Sequence, residues 1–218
     1  MEMQWATTWE SITDAIPDLP AITNGTTTRT WAEYDDRSAR VAAALHAAGL
    51  GPDSKVGLYL YNSNEYLEAQ YGTFKIRGVA INVNYRYLDE ELWYLLDNAD
   101  AEALFFHSSL SDRVARVADR LPNLELLVEV DDGGPSLGDR AVPYTGLLDA
   151  HQPFDRIERS GDDIYMLYTG GTTGMPKGVM YPMADITGFF ARLGFQAAGL
   201  PVPEAASDLA PMVRGLAA

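Results

Sequence analysis

Two hydrophobic rhythms alternate along the chain. Nearly continuous apolar runs at 56–61, 79–83, 103–106 and 124–130 are rich in Val, Leu, Ile and Phe, and such runs predict strands covered on both faces. Between them apolar residues return every three or four positions, the spacing of an amphipathic helix. One helix opens at Thr30 with Glu33 as its capping-box partner, turns Tyr34, Val41, Leu45 and Ala48 to one side, and closes at Gly49 and Gly51. A second is capped from 62–64 and turns Leu67, Tyr71 and Phe74 inward. A third is capped by Asp89, has Glu90 and Glu91 at the positive end of its dipole, and buries Leu92, Leu95, Leu96 and Ala99. A fourth buries Val114, Val117 and Leu121. A short helix over 7–16, stopped by Pro17, and a hairpin around Asn24-Gly25 precede them all. Strands alternating with such helices predict an α/β fold with a mostly parallel sheet flanked by helices.

The second half is less regular. Asp131-Asp132-Gly133-Gly134-Pro135 is a loop, and the chain to about Ser160 reads as a surface connection. Asp155, Glu158, Asp162 and Asp163 alternate with Arg156 and Arg159, which predicts a solvated, self-neutralising face rather than a metal site. Beyond Met180 a helix carries Ile186, Phe189, Phe190 and Leu193 on one side, read as a core-facing stripe, with an acyl pocket wall as the alternative. The tail from Leu200, with Pro201, Pro203 and Pro211, shows no closing element. Tyr85-Arg86-Tyr87 is read as packing between a strand end and a helix.

One stretch has no packing explanation. A strand at 164–168 breaks into Thr169-Gly170-Gly171-Thr172-Thr173-Gly174, then Met175-Pro176-Lys177-Gly178. Glycines admit positive φ and let a ligand approach the backbone, and successive N–H groups in such a turn form a nest for an anion. Three threonine hydroxyls and the charge of Lys177 complete the donor set that a polyphosphate needs. The spacing excludes a Walker A loop, because Pro176 separates Gly174 from Lys177, and it does not fit GxGxxG. A simple hairpin turn rarely needs three threonines and a lysine together.

Charge sharpens this reading. The net charge is −15, which argues against nucleic acid and against anionic membrane surfaces. Lys177 is one of only three lysines, with Lys55 and Lys75. There is no cysteine, so disulfides and thiolate chemistry are excluded. His46, His107 and His151 show no metal spacing and read as surface or helix-end residues. The N-terminus has no secretory pattern and no apolar run approaches a membrane span, which predicts a cytoplasmic protein with no integral membrane segment.

The stretch Tyr168 to Gly178 resembles the phosphate-loop signature of the adenylate-forming (AMP-binding) superfamily, with glycine at 170 where many members carry serine. The segment 30–66 resembles the opening of that fold, and Asn82-Val83-Asn84-Tyr85-Arg86-Tyr87 together with the loop looks like the acyl-CoA synthetase branch. The resemblance implies the N-terminal part of the family's large domain over 1–218, apparently truncated, with its phosphate loop at 168–178. It implies ATP-dependent conversion of a carboxylic acid, fatty or otherwise bulky, to an acyl-adenylate and then a thioester. Thr169, Gly170, Gly171, Thr172, Thr173, Gly174 and Lys177 would bind ATP, accompanied by Mg²⁺, with coenzyme A as co-substrate. The family's later motifs for adenine, ribose and the catalytic lysine have no counterpart here, so no catalytic and no metal-ligating residue is assigned. The alternative is a truncated, non-catalytic module that binds nucleotide phosphates or a partner, including the missing part of its own domain.

Overall fold

The computed structural model describes residues 3–169 and 175–217. Helix α1 (Trp5–Ala15) leads to a hairpin of β1 (Pro20–Asn24) and β2 (Thr27–Thr30). Helix α2 (Trp31–Ala47) follows, begun by the expected reciprocal cap: Glu33 N–H donates to Thr30 Oγ1 and Thr30 N–H donates to the Glu33 carboxylate. Then come β3 (Lys55–Tyr59), α3 (Asn64–Lys75), β4 (Val79–Asn82), α4 (Asp89–Asn98), β5 (Ala103–His107), α5 (Ser111–Ala118) and β6 (Leu126–Val130). The second half adds β7 (Val142–Pro143), α6 (Tyr144–Ala150), β8 (Ile164–Thr169), β9 (Lys177–Pro182), α7 (Met183–Ala197) and α8 (Ala206–Ala217).

Strands β3 to β9 form one sheet in the order β7-β6-β5-β3-β4-β8-β9. All neighbours run parallel except β9, which folds back antiparallel on β8. The sheet is covered on both faces, which explains the continuous apolar runs. Val56, Leu58 and Phe105 face a layer made by α1, α2, α3 and α6. Tyr59, Ile81, Leu104 and Phe106 face α4 and α5. Gly72 lets α2 and α3 approach closely: a Cβ there would lie 2.6 Å from Val41 Cγ1 and 2.7 Å from the Ser38 carbonyl oxygen.

Charged groups cross the helical layer and reach the sheet. The buried Glu10 carboxylate accepts from Lys75 Nζ at 2.8 Å and from both terminal nitrogens of Arg159 at 2.7 and 2.9 Å. Lys75 Nζ also donates to Asp35 at 2.7 Å and lies 4.3 Å from the centre of the Tyr71 ring. Burial alone would raise the Asp35 carboxyl, but Lys75 and hydrogen bonds from Lys75 and Tyr71 outweigh it and hold it below its ordinary range. Arg159 Nε donates to the Lys75 carbonyl, and Arg77 holds Asp163 through Nε and Nη2. Together these contacts fix residues 159–163, the entry to β8.

Several expectations change. Arg159 and Asp163 are buried, so the acid–base run is not wholly a solvated face; Arg159 finds its partner Glu10 across 149 positions of sequence. Of the two places expected for His107, the surface and a helix end, the surface is excluded: it is buried, at the start of the 3-10 turn Ser108–Leu110. Phe189, Phe190 and Leu193 do not form a core stripe: they are 60, 47 and 56% exposed. The tail carries a further helix, α8, that the sequence reading missed; its start is held by Asp208 accepting from the backbone N–H groups of Glu204 and Ala205. Ser63 supplies the side-chain cap of α3, and the third helix begins one residue earlier than expected, at Asp89 with Leu88 at its cap.

The cluster's energetic weight is testable. Glu10→Ala leaves Lys75 and the guanidinium of Arg159 buried without their shared carboxylate, and breaking a buried pair in this way costs about 3–5 kcal/mol. A urea-unfolding midpoint should fall accordingly at unchanged m value; a shift within experimental error would show that the cluster contributes little.

Candidate functional site

Strand β4 ends at Asn82, and parallel β8 ends beside it, so Thr169 emerges at the carboxyl end of the sheet. In open α/β sheets ligands bind outside those carboxyl ends. The backbone ladder between β4 and β8 is short, with Ile81 opposite Met166. Beyond it the Asn82 side chain takes over, its Oδ1 accepting from Tyr168 N–H at 3.2 Å. Tyr168 is pinned at its other end, where its hydroxyl donates to Asn98 Oδ1 on α4 at 2.8 Å. Its ring lies against Gly178, where a Cβ would meet ring carbons at 3.1 Å. Glycine opposite Tyr168 in the hairpin register therefore lets the ring lie against the β9 backbone; a larger residue would push the ring aside by a few tenths of an ångström.

The next pair in that register is Thr169 opposite Lys177. Directly opposed residues present their side chains on one face of a sheet, and both are exposed. The structure thus brings together Thr169 and Lys177, the first and last of the residues singled out for phosphate binding. Gly170, Gly171, Thr172, Thr173 and Gly174 lie outside the described residues. Lys177 forms no ion pair, and among the described residues only Arg86 and Arg192 share that condition while also making no side-chain hydrogen bond. The other lysines are spent within the protein, Lys55 on Asp53 and Lys75 on Glu10 and Asp35.

Arg86 occupies the link after β4, at the same end of the sheet, with its guanidinium 5.1 Å from the Tyr85 ring centre. That link is clamped from below. Arg113 on α5 donates to the carbonyls of Tyr85 and Tyr87 and to the Tyr59 hydroxyl, which itself donates to the Tyr87 carbonyl. Tyr85 and Tyr87 pack on the core as expected, while Arg86 is exposed and has no carboxylate partner among the described residues. The chain order around β3 also reverses here, because β4 lies on one side of it and β5 on the other. At that switch point His107 Nδ1 accepts from Tyr61 N–H at 3.0 Å, and the Tyr61 ring lies 4.9 Å from Tyr85 and 5.2 Å from His107.

The anchors Asn82, Asn98, Tyr168 and Arg113 were not read as site residues from sequence. Asn82 stood inside the quoted Asn82–Tyr87 motif, but nothing in one sequence signals that its amide extends a ladder. Among the described residues no group of three or more His, Cys, Asp or Glu side chains gathers around a possible metal position.

Comparison with known proteins agrees with this geometry. A family model described as AMP-binding enzyme matches residues 10–205. The medium-chain acyl-CoA ligase Mig of Mycobacterium avium is 40% identical over 194 residues, covering 81% of this chain and 35% of its own. The 3-oxocholest-4-en-26-oate–CoA ligase of Rhodococcus rhodochrous is 41% identical over 182 residues, covering 81% of this chain and 32% of its own. The chain therefore spans about a third of the length of these curated relatives. The solved structure of the anthranilate CoA ligase AuaEII in complex with anthranoyl-AMP has a TM-score of 0.81 at 22% identity, over 88% of this chain and 37% of its own, and shows the same fold.

His107 gives the switch point a pH signature. Burial pushes its imidazole below the ordinary value of 6.5, against opposing fields from Asp132 and Glu65. Above pH 6.5 both folded and unfolded forms are neutral there and nothing is lost. As pH falls through 6.5 the unfolded chain takes up a proton that the folded chain refuses, so stability falls until the lower, folded value is reached. Thermal unfolding of His107→Asn, whose side chain can still accept from Tyr61 N–H, should show a shallower loss between pH 6.5 and 5 than the parent; equal slopes would remove His107 as the cause.

Proposed function

This chain belongs to the AMP-binding enzyme family, and we propose that it carries the triphosphate-binding part of an enzyme that activates a carboxylic acid with ATP and passes it to coenzyme A. The observation that carries this reading is the exposed Thr169–Lys177 pair at the carboxyl end of the sheet, with Lys177 unpaired in a chain of net charge −15. The relatives' names point to medium-chain and steroid carboxylic acids, and we extend to this chain the class of bulky, apolar carboxylic acids.

In the first step a carboxylate oxygen bonds to the α-phosphorus of ATP and the bond to the β-phosphate oxygen breaks, releasing pyrophosphate. In the second the thiol sulfur of coenzyme A attacks the acyl carbon and AMP leaves. Such chemistry asks the protein for positioning and charge stabilisation. Thr169 would donate its hydroxyl to a phosphate oxygen. Lys177, opposite it, would offset the charge that builds on departing pyrophosphate. Mg²⁺ would arrive with the triphosphate, holding phosphate oxygens and water rather than a protein cage. Arg86, unpaired at the same end of the sheet, is suited to a further phosphate group such as those of coenzyme A.

We also assign a partner to the exposed face of β9 and α7. β9 is an edge strand, and Met180, Phe189 and Leu193 beside it are more than half exposed. Apolar surface next to an open edge suits further polypeptide, and the relatives carry about two-thirds of their length outside the matched region. On this reading the 218 residues alone bind ATP weakly and form no adenylate.

Lys177→Ala tests the phosphate role directly. Hydrogen bonds to charged groups contribute about 1.5–3 kcal/mol, so calorimetric ATP affinity should fall roughly ten- to hundredfold. The melting temperature should not move, since the side chain has no partner to lose. Unchanged affinity would reject the site, and ATP–pyrophosphate exchange by the 218-residue chain would reject the division of labour.

A further inference from the structure

Away from the loop, helices α1, α7 and α8 enclose a groove of about 340 Å³. Its walls are apolar, including Trp5, Trp9, Ile12, Phe190, Phe195 and Leu209, and no charged side chain lines it. A volume of that order lies within the range of small-molecule pockets. Two threonines also line it, Thr8 from α1 and Thr187 from α7. Both are more than nine-tenths buried, and both hydroxyls lack any hydrogen-bond partner.

Those two hydroxyls are the unusual feature. Helical threonines can return their hydroxyl to the carbonyl one turn earlier, as Thr13 and Thr73 do here. Thr8 and Thr187 do not, so each carries the cost of an unmade bond. A rotamer change about χ1 can carry a threonine hydroxyl into the position its methyl occupied, a route by which a sealed hydroxyl reaches the groove without a backbone shift. Either can then donate to or accept from a neutral oxygen. A carboxylate would find no cation there, and burying an unpaired charge is costly.

We propose that this groove is a binding site for an uncharged amphiphile, an apolar body carrying one hydroxyl or carbonyl, anchored by the hydroxyls of Thr8 and Thr187. The site is separate from the phosphate loop. β9 runs from Lys177 at the loop to Pro182, where α7 begins, and five steps of a strand place the start of that helix roughly 17 Å away. The proposal does not depend on the adenylating activity. It gives the protein a way to hold a neutral lipid whose identity differs in charge from a carboxylic acid substrate.

Trp5 and Trp9 provide the readout, because both line the groove and stack at 5.3 Å between ring centres. The 218-residue chain is titrated with 1-decanol and with decanoate at pH 7, below the solubility limit of each, while tryptophan emission is followed. Saturable binding of 1-decanol is expected, with decanoate at least tenfold weaker and the gap narrowing as decanoate is protonated. Thr8→Val and Thr187→Val should each weaken 1-decanol about tenfold while leaving the melting temperature unchanged or raised, because each removes an unsatisfied hydroxyl. Gly194→Leu is the second control. A Cβ at Gly194 meets nothing within 4 Å, leucine suits a helix better than glycine, and its side chain should fill the groove and abolish binding in a folded protein. No saturable response to 1-decanol, equal affinity for decanoate at pH 7, or full affinity in both valine variants or in Gly194→Leu would overturn the proposal.

Discussion

The structure depends on one carboxylate, that of Glu10. It stands on the first helix, yet its partners are the last residue of α3 and a guanidinium from the loop before β8. Both cations are withdrawn from water; without the acid Arg159 would lose its carboxylate partner and Lys75 would keep only Asp35. The loop that carries Arg159 is therefore held against the helical layer, and Arg77 holds Asp163 four residues later. Strand β8 starts from this fixed point and ends at Thr169. A charge cluster in the helical layer thus helps set where the glycine-rich loop begins, although Glu10 and Lys75 are far from it in sequence.

Positive charge is scarce in this chain, and its distribution follows that scarcity. Lys75, Arg159 and Arg37 neutralise buried acids, Glu68 being wholly enclosed with Arg37 and the Tyr144 hydroxyl. Arg116, Arg120 and Arg140 pair with acids nearer the surface. Lys177 and Arg86 remain uncommitted at one end of the sheet. On an acidic body, two free cations at the carboxyl ends of parallel strands make a local exception that a polyanion would find.

The architecture was largely legible because its strands are covered on both faces and its helices on one. Continuous runs such as Ala103 to Phe106 and stripes such as Leu92, Leu95 and Leu96 leave little choice of element. The failures share a cause, which is that partnership across the fold is invisible in one sequence. Arg159 and Asp163 looked solvated because their partners, Glu10 and Arg77, stand far away along the chain. His107 looked peripheral because its acceptor role toward Tyr61 N–H arises only when β3 and β5 pair. The α7 stripe had the right period, but period does not say whether anything covers it. For the site, composition alone located both ends of the hairpin mouth, while Asn82 and Asn98 act through geometry and left no such signal.

The opposed pair Thr169 and Lys177 has a further consequence for how this region can change. Tyr168, held by Asn82, Asn98 and Gly178, fixes the two strands before the loop starts. The pairing of β8 with β9 is therefore fixed by residues that are not among the proposed phosphate contacts, so a change at Asn82, Asn98 or Gly178 would displace Thr169 and Lys177 without altering either side chain.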